Sequence, residues 1–406
     1  MSLPLPLPVR RPASLLLAAL ALTVMACEKK TQPPPAPSAN TPPAESAQTT
    51  PPAPSDTILI GEVGSLTGSE ATFGISARNG IELAINEANA AGGVKGKKLG
   101  VRVYDSQGRP EEAAQAVTRL IAQDKVAVII GEAASSVSMA MAEKAQAAGV
   151  PQISYTSTAP EVTQKGDYIF RVCFIDPFQG KVMAKFAREN LKLNGVAVLT
   201  DNKSAYSIGL AKVFVEEFQK MGGKISANES YSKGDTDFRA QLTAIKQAKP
   251  EGVFVPGYYT DVGLIARQAR ELGLKVPLLG GDGWESEKLF ELGGSALNGS
   301  YFANHYALDN PDPLLKEFSE KYQKIYGSLP DSVAALAYDA TKLAVDAMGR
   351  APDLSGKALR DAIAATKDFP GVAGKITINA QRDAEKQAVV LKVEDGKTKF
   401  VTTVTP

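Results

Sequence analysis

The sequence predicts an α/β protein of two doubly wound lobes with parallel-type sheets, joined by a three-crossover hinge and preceded by an export signal and an extended tether. Three observations carry this prediction. From Thr57 onward short apolar runs alternate with helical stretches; near Asp176 the alternation stops and restarts; from Pro311 helices follow one another with no strand between them. The chain has 406 residues, enough for two cores. Its 45 Lys and Arg balance 44 Asp and Glu, so no basic footprint for nucleic acid is present. One histidine (His305) and two cysteines (Cys27, Cys173) are too few for the usual zinc sites within one chain.

Residues 1–26 read as an export signal: Arg10 and Arg11, an apolar run Leu15–Ala26, then Cys27. A bilayer-spanning helix needs roughly 20 apolar residues, more than this run supplies. Val24-Met25-Ala26-Cys27 resembles a lipobox, with Cys27 as the lipid-modified first residue. Losing the two arginines of the signal would move the formal charge only from +1 to −1. Cys173 would then have no partner for a disulfide, and its place in Phe170-Arg171-Val172-Cys173-Phe174 marks it as an inert core thiol. Residues 27–55 are dominated by Pro, Ala, Ser and Thr. Half of the chain's 26 prolines lie in residues 1–55, and such a segment tethers rather than folds.

The first series of strands is expected at Ile58–Val63, Leu99–Tyr104, Val126–Ile130 and Gln152–Ser154, with helices near Ser76–Ala90, Glu111–Gln123 and Ser136–Ala148. The second has strands at Val196–Thr200, Lys224–Glu229, Gly252–Pro256 and Leu278–Gly280. Its helices fall near Gln179–Asn190, Ile208–Met221, Asp237–Lys246 and Asp261–Leu272. Apolar runs this short, separated by helices, suit parallel strands covered on both faces. The tail reads as helices Pro311–Tyr326, Ser332–Met348 and Ser355–Thr366, then strands Gly374–Ile378, Gln387–Glu394 and Lys399–Val404, the last two joined by Asp395-Gly396. Helices without strands must cover a sheet already made. The expected lobes are therefore 56–175 with about 306–383, and 176–305 with about 384–406.

The sequence motifs first exclude. Gly61-Glu62-Val63-Gly64 follows a strand but lacks the G-x-G-x-x-G spacing for a dinucleotide. Gly92-Gly93-Val94-Lys95-Gly96-Lys97 fails the P-loop spacing and reads as a helix C-cap and turn. No G-x-S-x-G accompanies His305, which reads as a packed or hinge histidine.

Small hydroxyl residues and aromatics remain at the ends of expected strands, where open α/β sheets bind ligands. Ser135 and Ser136 open a helix after one strand, and Thr156-Ser157-Thr158 follow the next. Hydroxyls and free amides at a helix start suit a carboxylate, and they equally suit plain capping. In the second half Tyr206, Tyr258 and Gly280-Gly281-Asp282-Gly283-Trp284 each follow a strand. An acid beside an aromatic wall suits an ammonium; a turn aspartate and a core tryptophan are the alternatives.

Taken together, several segments match one family. They are Gly61-Glu62-Val63-Gly64-Ser65-Leu66-Thr67-Gly68, Ala90-Ala91-Gly92-Gly93-Val94-Lys95-Gly96-Lys97, Tyr104-Asp105-Ser106, Thr158-Ala159-Pro160-Glu161, Arg171 through Gly180, and Gly280 through Trp284. From Ile58 to about Val404 the chain resembles the leucine/isoleucine/valine-type amino-acid-binding proteins, the extracytoplasmic receptors of branched-chain amino acid ABC transporters. The resemblance implies the periplasmic binding protein type I fold, no catalysis and no cofactor. It implies a ligand carboxylate at Ser135, Thr156 and Thr158, with Ser136 and Ser157 beside them, and a ligand ammonium at Asp282 with Tyr206 and Tyr258. Phe73 falls where a member of the family has Tyr, and Glu132 and Trp284 also depart from that member's pocket.

The implied partners are an amino acid, a permease, and a membrane reached through lipid on Cys27, in the periplasm or at the cell surface. A short-chain amide, urea or an aromatic acid would use the same fold. A sensory receptor would share the same residues, and an exported hydrolase acting through Ser135 is the enzymatic alternative.

Overall fold

The structure, a computed structural model, describes residues 57–405; the expected signal, Cys27 and the tether lie outside the described residues. β1 (Thr57–Gly64) leads to α1 (Ala71–Ala90), β2 (Lys98–Asp105) to α2 (Pro110–Arg119), and β3 (Val128–Ile130) to α3 (Ser135–Ala148). β4 (Gln152–Ser154) reaches β5 (Ile169–Arg171) through a 3-10 turn. These strands form one parallel sheet in the order β2-β1-β3-β4-β5. Val128, Ile129 and Ile130 are all buried, as a parallel strand covered on both faces requires.

The alternation resumes with α4 (Asp176–Lys185), β6 (Gly195–Asp201), α5 (Ala205–Lys220), β7 (Lys224–Tyr231), α6 (Arg239–Gln247) and β8 (Gly252–Phe254). α7 (Tyr259–Glu271), β9 (Leu278–Gly280), α8 (Glu287–Gly293) and β10 (Tyr301–Asn304) follow. The tail supplies α9 (Pro313–Tyr326), α10 (Ser332–Arg350) and α11 (Gly356–Ala364), then a hairpin of β11 (Ala388–Glu394) and β12 (Lys397–Val404). The second sheet runs β12-β11-β10-β9-β8-β6-β7, parallel from β7 to β10 and antiparallel at β11 and β12.

The fold class is that expected from the alternation, and the departures are local. The segment expected as a strand at Gly374–Ile378 makes only isolated bridges, Phe369 with Ile376 and Ile378 with Ala384. Its backbone pairs locally instead: the Gly374, Ile376 and Ile378 amides donate to the carbonyls of Gly371, Phe369 and Thr366 at 3.1, 2.9 and 3.1 Å, in the loop just before it, and not to a sheet strand. β10 and α8 were not expected. α5 begins at Ala205 because Ser204 caps it, its hydroxyl accepting from the Ser207 amide at 3.3 Å.

α10 is buried on most of its circumference, and its alanines let it lie against α1, β3 and β4. A side chain at Gly80 of α1 would come within 2.2 Å of the Ala334 carbonyl oxygen, so glycine sets that helix spacing. The chain passes between the sheets three times: between Arg171 and Asp176, after Asn304, and between Ala384 and Ala388. Arg171, fully buried, ties two of these passages by donating to Asp383 at 2.6 Å and to the carbonyls of Ser157 and Ala159. Cys173 is buried in the first passage, where burial pushes its thiol up to about 12 and leaves it inert at neutral pH.

Candidate functional site

In each sheet the strand order reverses beside the first strand of its series: β1 lies between β2 and β3, and β6 between β7 and β8. Ligands of open α/β sheets sit at the carboxyl ends of strands flanking that reversal. A small, nearly closed cavity of about 10 Å³ lies there. Phe73 of α1, Ser135 at the start of α3 and Thr156 after β4 line it from one side; Tyr206 of α5, Tyr258 after β8 and Asp282 after β9 line it from the other. All six are at least nine-tenths buried, Thr156 being the most open at 9%. A ligand enters only when the walls part.

On the first wall, Ser135 is the first residue of α3, whose opening amides have no partner within the helix. The helix start and the neighbouring hydroxyls present donors and a partial positive charge. Tyr206 and Tyr258 stack at 5.2 Å on the second wall, and Phe73 meets Tyr258 edge-on at 6.0 Å. Burial holds both tyrosine hydroxyls well above their usual pKa, so they stay protonated. Tyr206 accepts from the Gly283 amide at 3.1 Å, which fixes the turn that carries Asp282.

Asp282 is the anionic group of the cavity. Its Oδ1 accepts from Gln179 Nε2 at 3.0 Å and its Oδ2 lies 3.1 Å from His305 Nε2. Gln179 also donates to Asp176 at 2.7 Å. Burial, followed by the nearby charge of Asp282, pushes the Asp176 carboxyl up to about 8, so it holds its proton at neutral pH. Glu285 is likewise pushed up to about 8 by burial; it accepts from Asn304 at 2.9 Å and from the Ser332 amide at 3.2 Å.

Four of the residues singled out in the sequence lie beside the cavity rather than on its surface. Ser136 reaches across the cleft, its hydroxyl accepting from the Ala205 amide at 3.0 Å. Ser157 spends its hydroxyl on the carbonyls of Glu132 and Ala133, at 2.9 and 3.0 Å. Thr158 Oγ1 accepts from Gln179 at 3.4 Å. Trp284 is fully buried behind the wall, its indole donating to the Val255 carbonyl at 3.0 Å. It fits there because Gly280 has no side chain: a Cβ at that position would stand 2.1 Å from the ring. Glu132 is buried beneath the first wall, accepting from Ser65 at 2.7 Å and Ser106 at 2.9 Å.

His305, Ser332 and Val333 line the cavity without having been read as part of it. Histidine beside aromatics was the only signal, and its pairing with Asp282 exists only in space. Among the described residues no group of three or more His, Cys, Asp or Glu is arranged to hold a metal ion.

Contacts between the walls hold the cleft closed. Thr72 and Ser286 hydroxyls meet at 2.9 Å, Thr260 donates to the Ser69 carbonyl at 2.6 Å, and Lys233 pairs with Glu70 at 2.6 Å.

A family model described as "Periplasmic binding protein" matches residues 57–398. The Leu/Ile/Val-binding protein BraC3 of Rhizobium johnstonii is 31% identical over 343 residues, 84% of this chain and 92% of that protein. A leucine binding protein LivK from Thermotoga maritima MSB8 superposes with a TM-score of 0.83 at 37% identity, covering 86% of this chain and 99% of its own. The branched-chain amino acid transporter substrate binding protein LivJ from Streptococcus pneumoniae, solved with isoleucine, gives 0.82 at 36% identity, covering 86% and 100%.

Proposed function

The chain belongs to the periplasmic binding protein family, and from that premise we propose that it captures a branched-chain or related aliphatic amino acid between its lobes and delivers it to the permease of an ABC transporter. One observation carries this reading: charge is divided across a single buried cavity, with the α3 start, Ser135 and Thr156 on one wall and Asp282 on the other. An α-amino acid is a small molecule that bears an anion and a cation on one carbon. Its carboxylate meets the amides and hydroxyls of the first wall, and its ammonium meets Asp282 between Tyr206 and Tyr258. Phe73 and the tyrosine rings give the side chain an apolar surface.

An aromatic acid or an amide lacks the cation. Either would leave the Asp282 charge buried opposite nothing, at a cost that disfavours it. The ligand touches both walls only in the closed form, so its binding shifts the lobes toward closure. That closed form is the state a permease reads. Lipid on Cys27 and the tether after it would hold the receptor at a membrane while its body samples solute. This reading assigns no catalytic step and no cofactor.

Calorimetric titration of the body, stripped of ligand by unfolding and refolding, with leucine, isoleucine, valine and then amides, urea and benzoate tests it. One-to-one binding of an aliphatic amino acid is expected. Binding that ignores removal of the α-amino group would overturn the zwitterion site.

A further inference from the structure

His305 belongs to two parts of the molecule at once. It follows β10 on the second chain passage between the sheets, and it lines the cavity. Its ring is buried and stacked on Phe174 of the first passage, centroids 3.9 Å apart and planes 26° apart. A carboxylate only accepts hydrogen bonds, so the nitrogen 3.1 Å from Asp282 Oδ2, Nε2, carries the hydrogen. Nδ1 is then the bare nitrogen, and it has no hydrogen-bond partner.

We infer that His305 is a positioning residue of the ligand site: neutral, it clamps Asp282 from one side while Gln179 clamps it from the other, and protonated, it withdraws Asp282 as a counter-charge for the ligand. The inference deepens the proposed function and rests on it. With Oδ1 held by Gln179 and Oδ2 by His305, the carboxylate has one orientation, and the lone pairs left over are those available to a ligand cation. Adding a proton at Nδ1 would place an imidazolium in contact with the group that the ammonium needs. Two cations would then share one anion in a site almost without water.

The other ionisable groups around the ring do not take over this part. Burial pushes Cys173 up to about 12 and Asp176 up to about 8, leaving both uncharged at neutral pH. Glu285, reached through Asn304, is also raised to about 8. Lys386, on the third passage, is fully buried and repels a charged imidazole. Burial of the ring, outweighing the pull of Asp282, keeps His305 below its ordinary pKa and so neutral at pH 7. The ligand itself stays a zwitterion from pH 5 to 7.5, so a change in affinity over that span comes from the protein.

His305 is the chain's sole histidine, which makes its imidazole signals unambiguous in the whole protein. Nitrogen-detected NMR of the stripped protein is expected to show hydrogen on Nε2, a midpoint below the ordinary value of about 6.5, and a further fall of that midpoint in Asp282→Asn. Titration with leucine is expected to show affinity falling on the acid side, approaching tenfold per pH unit below the midpoint. Proton release on binding near the midpoint, read from the buffer dependence of the calorimetric heat, accompanies it. In His305→Gln the ratio of affinities at pH 7.5 and pH 5.0 flattens, whatever its affinity at pH 7.5.

Hydrogen on Nδ1, a midpoint indifferent to Asp282→Asn, or an unchanged pH ratio in His305→Gln overturns the inference while leaving amino-acid binding intact. Absence of binding by every α-amino acid at every pH defeats the functional reading and this inference with it, even if the NMR signature appears.

Discussion

Replacing Asp282 by Asn removes one negative charge and almost no volume. The side chain is 8% exposed, so a bound ammonium opposite it would be cut off from water. Breaking a buried charge pair by removing one partner costs about 3–5 kcal/mol. At about 1.4 kcal/mol per decade this is a loss of roughly two to three and a half orders of magnitude in affinity. The fold itself should tolerate the change. The Asn carbonyl can accept from Gln179, as Oδ1 does now, and the Asn amide can donate to His305 Nε2 once the imidazole moves its hydrogen to Nδ1. The loss should therefore appear in isothermal titration with leucine while thermal unfolding of the stripped protein stays within a few degrees of wild type. A variant that binds leucine within fivefold of wild type would refute the placement of the ammonium at Asp282. Equal loss of affinity and stability would instead make Asp282 a structural residue.

Three further perturbations follow from the geometry. Glu62 on β1 is fully buried with both oxygens unpartnered, and burial pushes it up to about 8 from 4.5. The folded state then keeps a proton that the unfolded chain has lost, so wild-type stability falls as pH rises from about 4.5 to 8, by up to a few kcal/mol at about 1.4 kcal/mol per pH unit. Glu62→Gln should remove that part of the slope in urea unfolding measured across the range; an unchanged slope would show the carboxyl to be hydrated. Lys233→Met deletes the ion pair with Glu70 that joins the walls, and ligand release followed by stopped flow should quicken by roughly 5–30-fold, the equivalent of about 1–2 kcal/mol; an unaltered release rate would show that the pair contributes nothing to closure. Gly280→Ala drives a methyl into the Trp284 indole and should cost about 1–3 kcal/mol of overpacking, lowering the melting temperature; a variant that melts with wild type would show that the indole repositions freely.

The alternation of apolar runs and helices made the fold class legible, because parallel strands buried on both faces leave an unmistakable trace of Val, Ile and Leu. β10 escaped because Tyr301-Phe302-Ala303-Asn304 carries no Val, Ile or Leu, and only its partners β9 and β11 define it. The false strand near Gly374 failed for the opposite reason. Its residues suit a strand, but carbonyls of the loop just before it, at Thr366, Phe369 and Gly371, take its amides before any sheet strand can. In the cavity, residue type at a strand end singled out Ser135, Thr156, Tyr206, Tyr258 and Asp282. Residue type could not say which hydroxyls reach the cavity: Ser157 and Thr158 look like Ser135 in the sequence, yet only Ser135 lines it. Trp284 illustrates the same limit, since the space that takes its ring is created by a glycine four residues earlier.

The three passages between the sheets carry a consequence for how this chain comes into being. α10, which covers α1, β3 and β4, ends at Arg350, and the strand that extends the second sheet beyond β10 begins only at Ala388. Neither half can therefore complete itself while the ribosome is still adding the tail: each waits for a piece encoded beyond the other. A nascent polypeptide emerging from N- to C-terminus thus stays loosely organised until its final stretch is available.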